Sequence, residues 1–149
     1  MTVQDAIEIS DIDQRTYSVG WWGSETFLRH RTSLFSSRSY AAEQCGIIVG
    51  YAIVQNNSIL RLVVAYHARN KGVGSKILEA IKKDMEEESL DIRVHLKNIL
   101  GCKFLRKKGF VADQTRTIYT NANDILLFQY STVPWKTNRI TRFLEDASF

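Results

Sequence analysis

Leu60-Arg61-Leu62-Val63-Val64-Ala65-Tyr66-His67-Ala68-Arg69-Asn70-Lys71-Gly72-Val73 joins an apolar, β-branched run to a basic glycine turn. Gly74-Ser75-Lys76-Ile77-Leu78 follows directly and opens a helical pattern. A strand that delivers a glycine turn to a helix start suits a phosphorylated ligand. Glycine lets the backbone approach closely, the first-turn N–H groups lack intrahelical partners, and the helix dipole favours an anion. Arg69 and Lys71 add positive charge at the same spot. The spacing matches neither a P-loop nor a dinucleotide fingerprint. Taken alone, the turn reads as an ordinary strand-to-helix corner with basic residues for solubility.

Upstream, Ile47-Ile48-Val49-Gly50-Tyr51-Ala52-Ile53-Val54 is a continuous apolar run, as in a strand covered on both faces. Asn56-Asn57-Ser58 makes a hairpin turn into the opening stretch, and residues 39–44 form a strand turning at Cys45-Gly46. Three consecutive antiparallel strands thus lead to the glycine turn. Earlier still, Ala6-Ile7-Glu8-Ile9 alternates as a short strand and Ser10-Asp11 caps a helical turn. Ser24 opens a helix over residues 24–35, behind the aromatic, glycine-flanked segment that holds Trp21 and Trp22. Those tryptophans either line a site or simply pack helices.

Downstream, a helix over residues 73–88 places Val73, Ile77, Ile81 and Met85 on one stripe with Leu78 beside it. Residues 90–96 set Ile92, Val94 and Leu96 against Arg93 and His95, a half-buried strand. Residues 99–108 read as a short helix with Leu100 and Phe104 inward, ended by Gly109. A strand begins at Phe110-Val111, a loop spans 119–123, and a final strand spans 124–130. The tail after Pro134 holds one or two helical turns around Ile140, Phe143 and Leu144.

At 149 residues the chain is one ordinary domain, and an apolar share of 44% with a single proline indicates a folded protein. No apolar stretch approaches the roughly 18 residues of a membrane span, and the first residues carry no signal core. A soluble, cytoplasmic protein is expected. Cys45 and Cys102, with His30, His67 and His95, give no zinc-ligand spacing, so no metal is expected and both thiols are taken as reduced and packed. A net charge of +4 suits acidic partners in general, but the basic residues are scattered and no nucleic-acid motif is present.

Together these pieces resemble the GNAT acetyltransferases. That family's acetyl-CoA motif, Gln/Arg-x-x-Gly-x-Gly/Ala, reads here as Arg69-Asn70-Lys71-Gly72-Val73-Gly74. Its next motif, Asn-x-x-Ala-x-x-Phe-Tyr-x-Lys-x-Gly-Phe, is matched by Asn98-Ile99-Leu100-Gly101-Cys102-Lys103-Phe104-Leu105-Arg106-Lys107-Lys108-Gly109-Phe110. The match covers about residues 39–130. Within the family, Trp22-Gly23-Ser24-Glu25-Thr26-Phe27 is similar to the start of the substrate-side helix of N-terminal α-amine acetyltransferases, including the bacterial type that acts on a ribosomal protein. Arg116-Thr117-Ile118-Tyr119 resembles the tyrosine loop that grips their acceptor peptide.

The resemblance implies an α/β GNAT fold: a mixed, mostly antiparallel central sheet flanked by helices on both faces. It implies that the backbone of Leu62, Val63 and Val64 holds the pantetheine arm and the thioester carbonyl, an oxyanion-type contact. Arg69, Asn70, Lys71, Gly72, Val73 and Gly74 would cradle the pyrophosphate of acetyl-CoA. Asn98 would contact the pantetheine, and Lys107 the nucleotide end. Tyr119 and Trp22 would face the acceptor.

Two departures touch the chemistry. Arg93 stands where the N-terminal enzymes carry a strand glutamate as base, and Leu105 replaces the tyrosine that protonates the leaving thiolate. An α-amine, with a pKa of about 7.7–8.0, is neutral for roughly a tenth of the time at pH 7, whereas a lysine near 10.4 is almost wholly charged. An α-amine therefore tolerates a weak base, and proximity alone still accelerates direct attack. His95, two residues after Arg93 on the same strand face, is the candidate base, with a surface histidine as the equal alternative. Cys102, one helical turn before Leu105, faces the sulfur or simply packs.

The sequence thus points to one domain over residues 1–149, with a tail from about 132, that moves an acetyl group from acetyl-CoA to a primary amine. A protein N-terminus is the leading acceptor. A small-molecule amine or an aminoacyl-tRNA ranks second. A catalytically silent acyl-CoA-binding domain ranks third.

Overall fold

The computed structural model describes residues 1–17, 22–31, 37–85, 89–118 and 125–132, with the backbone alone at 30–31 and 114–118. Two compact units divide the chain, Met1–Met85 and Glu86–Phe149.

The first unit begins with α1 (Val3–Thr16), where the sequence suggested a short strand. Four alternating residues fit either period, and two features decide the matter. A capping box closes the helix start: the Asp5 N–H donates to Thr2 Oγ1 at 3.1 Å, and the Thr2 N–H donates to Asp5 Oδ2 at 2.6 Å. The buried stripe then runs Ala6, Ile9, Ile12 and Asp13, which is helical spacing, while Ile7 faces out. Ser10 is therefore a mid-helix residue and not a cap. The Thr2 backbone N–H holds the Asp5 carboxyl below its ordinary pKa, so this closure is present above the usual carboxylate range and fades as pH falls through it.

A second helix, α2 (Ser24–Arg31), precedes an antiparallel meander of β1 (Ser37–Gln44), β2 (Ile47–Gln55) and β3 (Ser58–Val64). β2 is buried at every position from 48 to 54 because both its faces are covered. On one face Tyr51 and Ile53 join Ala6, Ile9, Phe27 and Val63 in the core under α1 and α2. Phe27 stands edge-on to Tyr51, ring centroids 5.4 Å apart. Against the other face lies α3 (Val73–Lys83), which buries Ile77, Leu78 and Ile81. The helix ends at Lys83 with Asp84 as its C-cap, so Met85 lies outside its stripe; residues 86–88 of the expected helix lie outside the described residues. The Asp84 carbonyl and carboxylate accept hydrogen bonds from Arg38 and from the Tyr40 hydroxyl of β1.

Gly50 sets how closely α3 approaches β2. A Cβ there would meet Ile77 Cδ1 and Val73 Cγ1 at 3.1 Å and the Val63 carbonyl oxygen at 3.2 Å. The side chains can yield, but the backbone oxygen cannot without moving the strand. Gly50→Ala is expected to destabilise the unit by about 1–3 kcal/mol, read from urea unfolding.

Among the described residues, Asp13 is the one charged side chain that is buried, at 0% exposure. It accepts a hydrogen bond from the Tyr51 hydroxyl and one from the Trp22 N–H at 2.6 Å, and pairs with Arg61 at 3.7 Å. The Arg61 guanidinium lies 4.5 Å from the Tyr17 ring centroid and 4.6 Å from that of Trp22. Burial, and then the bond to Asp13, push the Tyr51 hydroxyl well above its ordinary 10. A folded-state value raised above the unfolded one means that its contribution is whole below pH 10 and lost as pH rises beyond. The stability gap between the wild type and Tyr51→Phe should therefore narrow in unfolding titrations above that pH.

The second unit pairs β4 (Ser89–His95) antiparallel with β6 (Ile125–Ser131), and β6 antiparallel with β5 (Val111–Ile118). Leu90, Ile92 and Val94 bury one face of β4, while Leu96 lies beyond the strand and is exposed. α4 (Ile99–Lys107) turns differently from the expectation. Its buried residues are Cys102 and Leu105, Leu100 is 79% exposed, and Phe104 is half-buried. The helix closes with the Gly109 N–H on the Arg106 carbonyl at 3.1 Å and the Phe110 N–H on that of Leu105 at 3.0 Å. Of the two thiols, Cys102 is packed as expected, but Cys45 is exposed in the β1–β2 turn. No described helix is long and apolar enough to cross a membrane.

Candidate functional site

In the first unit the end of β3 leads straight into the glycine turn. Leu62 stands opposite Ala52, Val63 opposite Tyr51 and Val64 opposite Gly50. The Ala65 N–H donates to the Val49 carbonyl at 2.8 Å and extends the pairing by one residue. A short 3₁₀ turn, Tyr66–Ala68, then brings Arg69 back over the strand end. Arg69 Nε donates to the Val64 carbonyl at 2.9 Å, and its guanidinium carbon lies 5.6 Å from the Tyr66 ring centroid.

Asn70 (φ 61°) and Gly72 (φ 82°) take left-handed conformations that aim the chain into α3. Gly72 is the N-cap residue and has no side chain to bond the first-turn amides, and that turn carries no acidic residue. The first intrahelical bond runs from the Lys76 N–H to the Gly72 carbonyl at 3.1 Å, leaving the amides of Val73, Gly74 and Ser75 ahead of it. No atom lies within 4 Å of a Cβ placed on Gly72. Lys71 is exposed beside it. Uncapped amides, open space and two cations fit the phosphates of a nucleotide cofactor. Val73 contributes backbone to this turn, since its side chain packs on Gly50.

In the second unit His95 is the last residue of β4, opposite Ile125 and exposed on the same face as Arg93. Its carbonyl accepts from the Asn98 N–H at 2.9 Å and from the Cys102 thiol at 3.9 Å. Asn98 caps α4, its Oδ1 accepting the Gly101 N–H at 2.9 Å. That bond engages the side-chain oxygen and leaves the amide NH₂ as its donor. His95 and Asn98 thus lie together. Lys107 sits at the far end of α4, about 14 Å along the helix from Asn98. Leu105 is buried, and its aliphatic side chain has no proton to donate.

A family model described as an acetyltransferase (GNAT) domain matches residues 24–130, which span both units. The chain belongs to the GNAT acetyltransferase family. Solved structures agree on the fold. The ribosomal-protein-S18-alanine N-acetyltransferase of Escherichia coli superposes with a TM-score of 0.72 at 18% identity, over 88% of this chain and 90% of its own. Ard1 of Thermoplasma volcanium gives 0.74 at 19% identity, over 89% and 95%. An aminoglycoside 6'-N-acetyltransferase, solved with coenzyme A, gives 0.71 at 12% identity, over 87% and 91%. Among curated proteins none matches at a significant level. The GNAT fold, mixed α/β with mostly antiparallel strands, is the one the sequence motifs implied.

Of the acceptor-side residues, Tyr119 lies outside the described residues. Trp22 is described and held on both sides. Its N–H goes to Asp13, its carbonyl accepts from Ser10 Oγ at 2.9 Å, and its ring leans on Phe27 at 5.4 Å. The sequence reading passed over Asp13 and Arg61. The available signal was an aspartate in line with Ala6 and Ile9 on a helical stripe, hidden once that segment was read as a strand.

Proposed function

We propose that this GNAT acetyltransferase moves an acetyl group from acetyl-CoA to a protein N-terminal α-amine, with residues 1–149 acting as one catalytic domain. The observation that carries the donor half is the α3 start: a left-handed, uncapped Gly72 between Lys71 and the first-turn amides, with Arg69 alongside. In this reading Leu62, Val63 and Val64 receive the pantetheine arm and thioester, residues 69–74 hold the pyrophosphate, Asn98 donates from its amide, and Lys107 meets the nucleotide. Acetyl-CoA brings the activated carbonyl that the amine attacks.

Two features support an α-amine acceptor. Arg93 and buried Leu105 supply neither the usual base nor the usual acid. An amine already neutral for roughly a tenth of the time at pH 7 needs the least help. Exposed His95, at the end of β4, is the proposed base. Trp22 and Tyr119 complete the acceptor side. His95→Ala is expected to lower kcat about tenfold or more. Unchanged kinetics would return His95 to the surface.

The deciding experiment is thiol release from acetyl-CoA against peptides with free N-termini, the same peptides N-blocked but with free lysine, small amines and charged tRNA. Titration calorimetry follows acetyl-CoA binding in parallel. Release that tracks the free N-terminus supports the proposal, and release only with an aminoglycoside or another small amine overturns its acceptor. A further reading, a silent CoA-binding domain, is favoured by Arg93 and Leu105 standing where the usual base and acid would be. Binding without release from any amine would establish it.

A further inference from the structure

The basic residues divide evenly between the two units, but one stretch of the second unit carries positive charge alone. Between Asp91 and Asp113 stand Arg93, Lys97, Lys103, Arg106, Lys107 and Lys108, with no acidic residue among them. With six positive charges here and a chain total of +4, the rest of the protein is net negative. On α4, Cys102 and Leu105 turn inward, which places Ile99, Leu100, Lys103 and Lys107 on the outer face. Arg106 leans over the Phe128 ring at 5.6 Å and Lys108 over that of Phe104 at 5.9 Å. Lys97, Lys103 and Lys107 are exposed and make no ion pair among the described residues. Ile99 is 62% exposed and Leu96 49%, so the same surface is apolar as well as basic.

We propose that this face docks an acidic protein that presents its acyl group on a phosphopantetheine arm, so that the thioester donor arrives on a carrier protein as well as on CoA. The inference rests on the reading of Asn98 as a pantetheine contact. Asn98 lies between Leu96 and Ile99, so an arm from a partner seated on α4 would enter at the capped end of that helix. Apolar residues ringed by lysines match an acidic surface with an apolar centre. RNA is the poorer match, because the face offers aliphatic side chains and lysines where single-stranded RNA is held by stacking rings. A nucleotide phosphate is small: with Lys107 given to it, exposed Lys97 and Lys103 are still unaccounted for, and it has no use for Ile99 and Leu100. In the reaction the amine nitrogen bonds to the thioester carbonyl carbon and the C–S bond breaks. The thiolate stays on the carrier's arm and takes up the proton that the amine releases.

The test uses a purified acidic acyl carrier protein, in its holo form and as its acetyl thioester, beside acetyl-CoA and acetyl-dephospho-CoA. Carrier binding is followed by titration at low and at about 0.5 M salt, where screening should weaken it strongly. Lys97→Glu/Lys103→Glu and, separately, Leu100→Ser should each lower kcat/KM with the carrier about tenfold while acetyl-CoA stays within about twofold. Acetyl-CoA turnover without carrier binding or transfer overturns this inference and leaves the proposed function standing. So does a charge-reversal defect seen with acetyl-CoA but not with acetyl-dephospho-CoA, which would assign the face to the nucleotide. Charge-dependent binding of tRNA but not of carrier overturns it as well. Failure to bind acetyl-CoA at all removes the underlying reading instead.

Discussion

Asp13→Ala is expected to destabilise the first unit by about 3–5 kcal/mol, a large part of a typical domain's stability of roughly 5–15. The carboxylate is completely buried, so its worth lies in what its removal leaves behind. The Trp22 N–H and the Tyr51 hydroxyl would each lose an acceptor inside the core. Arg61, with 15% of its side chain exposed, would keep its charge without the carboxylate that offsets it. Asp13→Asn keeps an oxygen for Trp22 but loses the ion pair, and Tyr51→Phe removes a single donor at about 1–3 kcal/mol. The expected order of urea midpoints is therefore wild type, Tyr51→Phe, Asp13→Asn, Asp13→Ala. High salt should rescue none of them appreciably, because a buried pair is little screened. An alanine variant within about 1 kcal/mol of wild type would show that the network does not hold this unit together.

The second large effect is on binding and not on folding. Arg69→Glu/Lys71→Glu is expected to weaken acetyl-CoA binding about a hundredfold, or nearly 3 kcal/mol, because two attractions toward phosphate become repulsions. Both side chains are exposed. The one bond that folding would miss is that from Arg69 Nε to the Val64 carbonyl. Its loss should cost about 1 kcal/mol. Arg69→Lys separates the two roles, since it keeps charge and gives up the planar fork. Calorimetry against thermal unfolding of the same variants decides the point. Equal affinity in the double variant would remove the cofactor site from this turn.

Much of this was legible because it is local. The run from Leu60 to Gly74 declares strand, turn and helix start through residues adjacent in sequence, and the structure places each where the pattern asks. The hairpin at Asn56-Asn57 and the closure at Gly109 were readable for the same reason. What failed was the rotation of one helix and the recognition of another. α4 was placed correctly, yet two apolar residues in its first turn could turn either way, and packing chose Cys102 over Leu100. α1 was lost because four alternating residues carry too little periodicity, and its Thr2 cap lies ahead of them. The Asp13 cluster joins residues 9, 38 and 48 positions apart, so no window along the chain contains it.

Gly50 has a reach beyond its own contacts. Because β2 offers no side chain at that position, the first two turns of α3 lie against strand backbone, and the tilt and depth of the helix are fixed there. The amides ahead of Lys76 inherit that placement. Their alignment is thus a property of helix-on-sheet packing, while their charge comes from the turn that precedes them. Aim and attraction are separately encoded, one in a missing methyl group and the other in Arg69 and Lys71. A methyl group restored at position 50 would misdirect the amides and leave every charged group of the turn untouched.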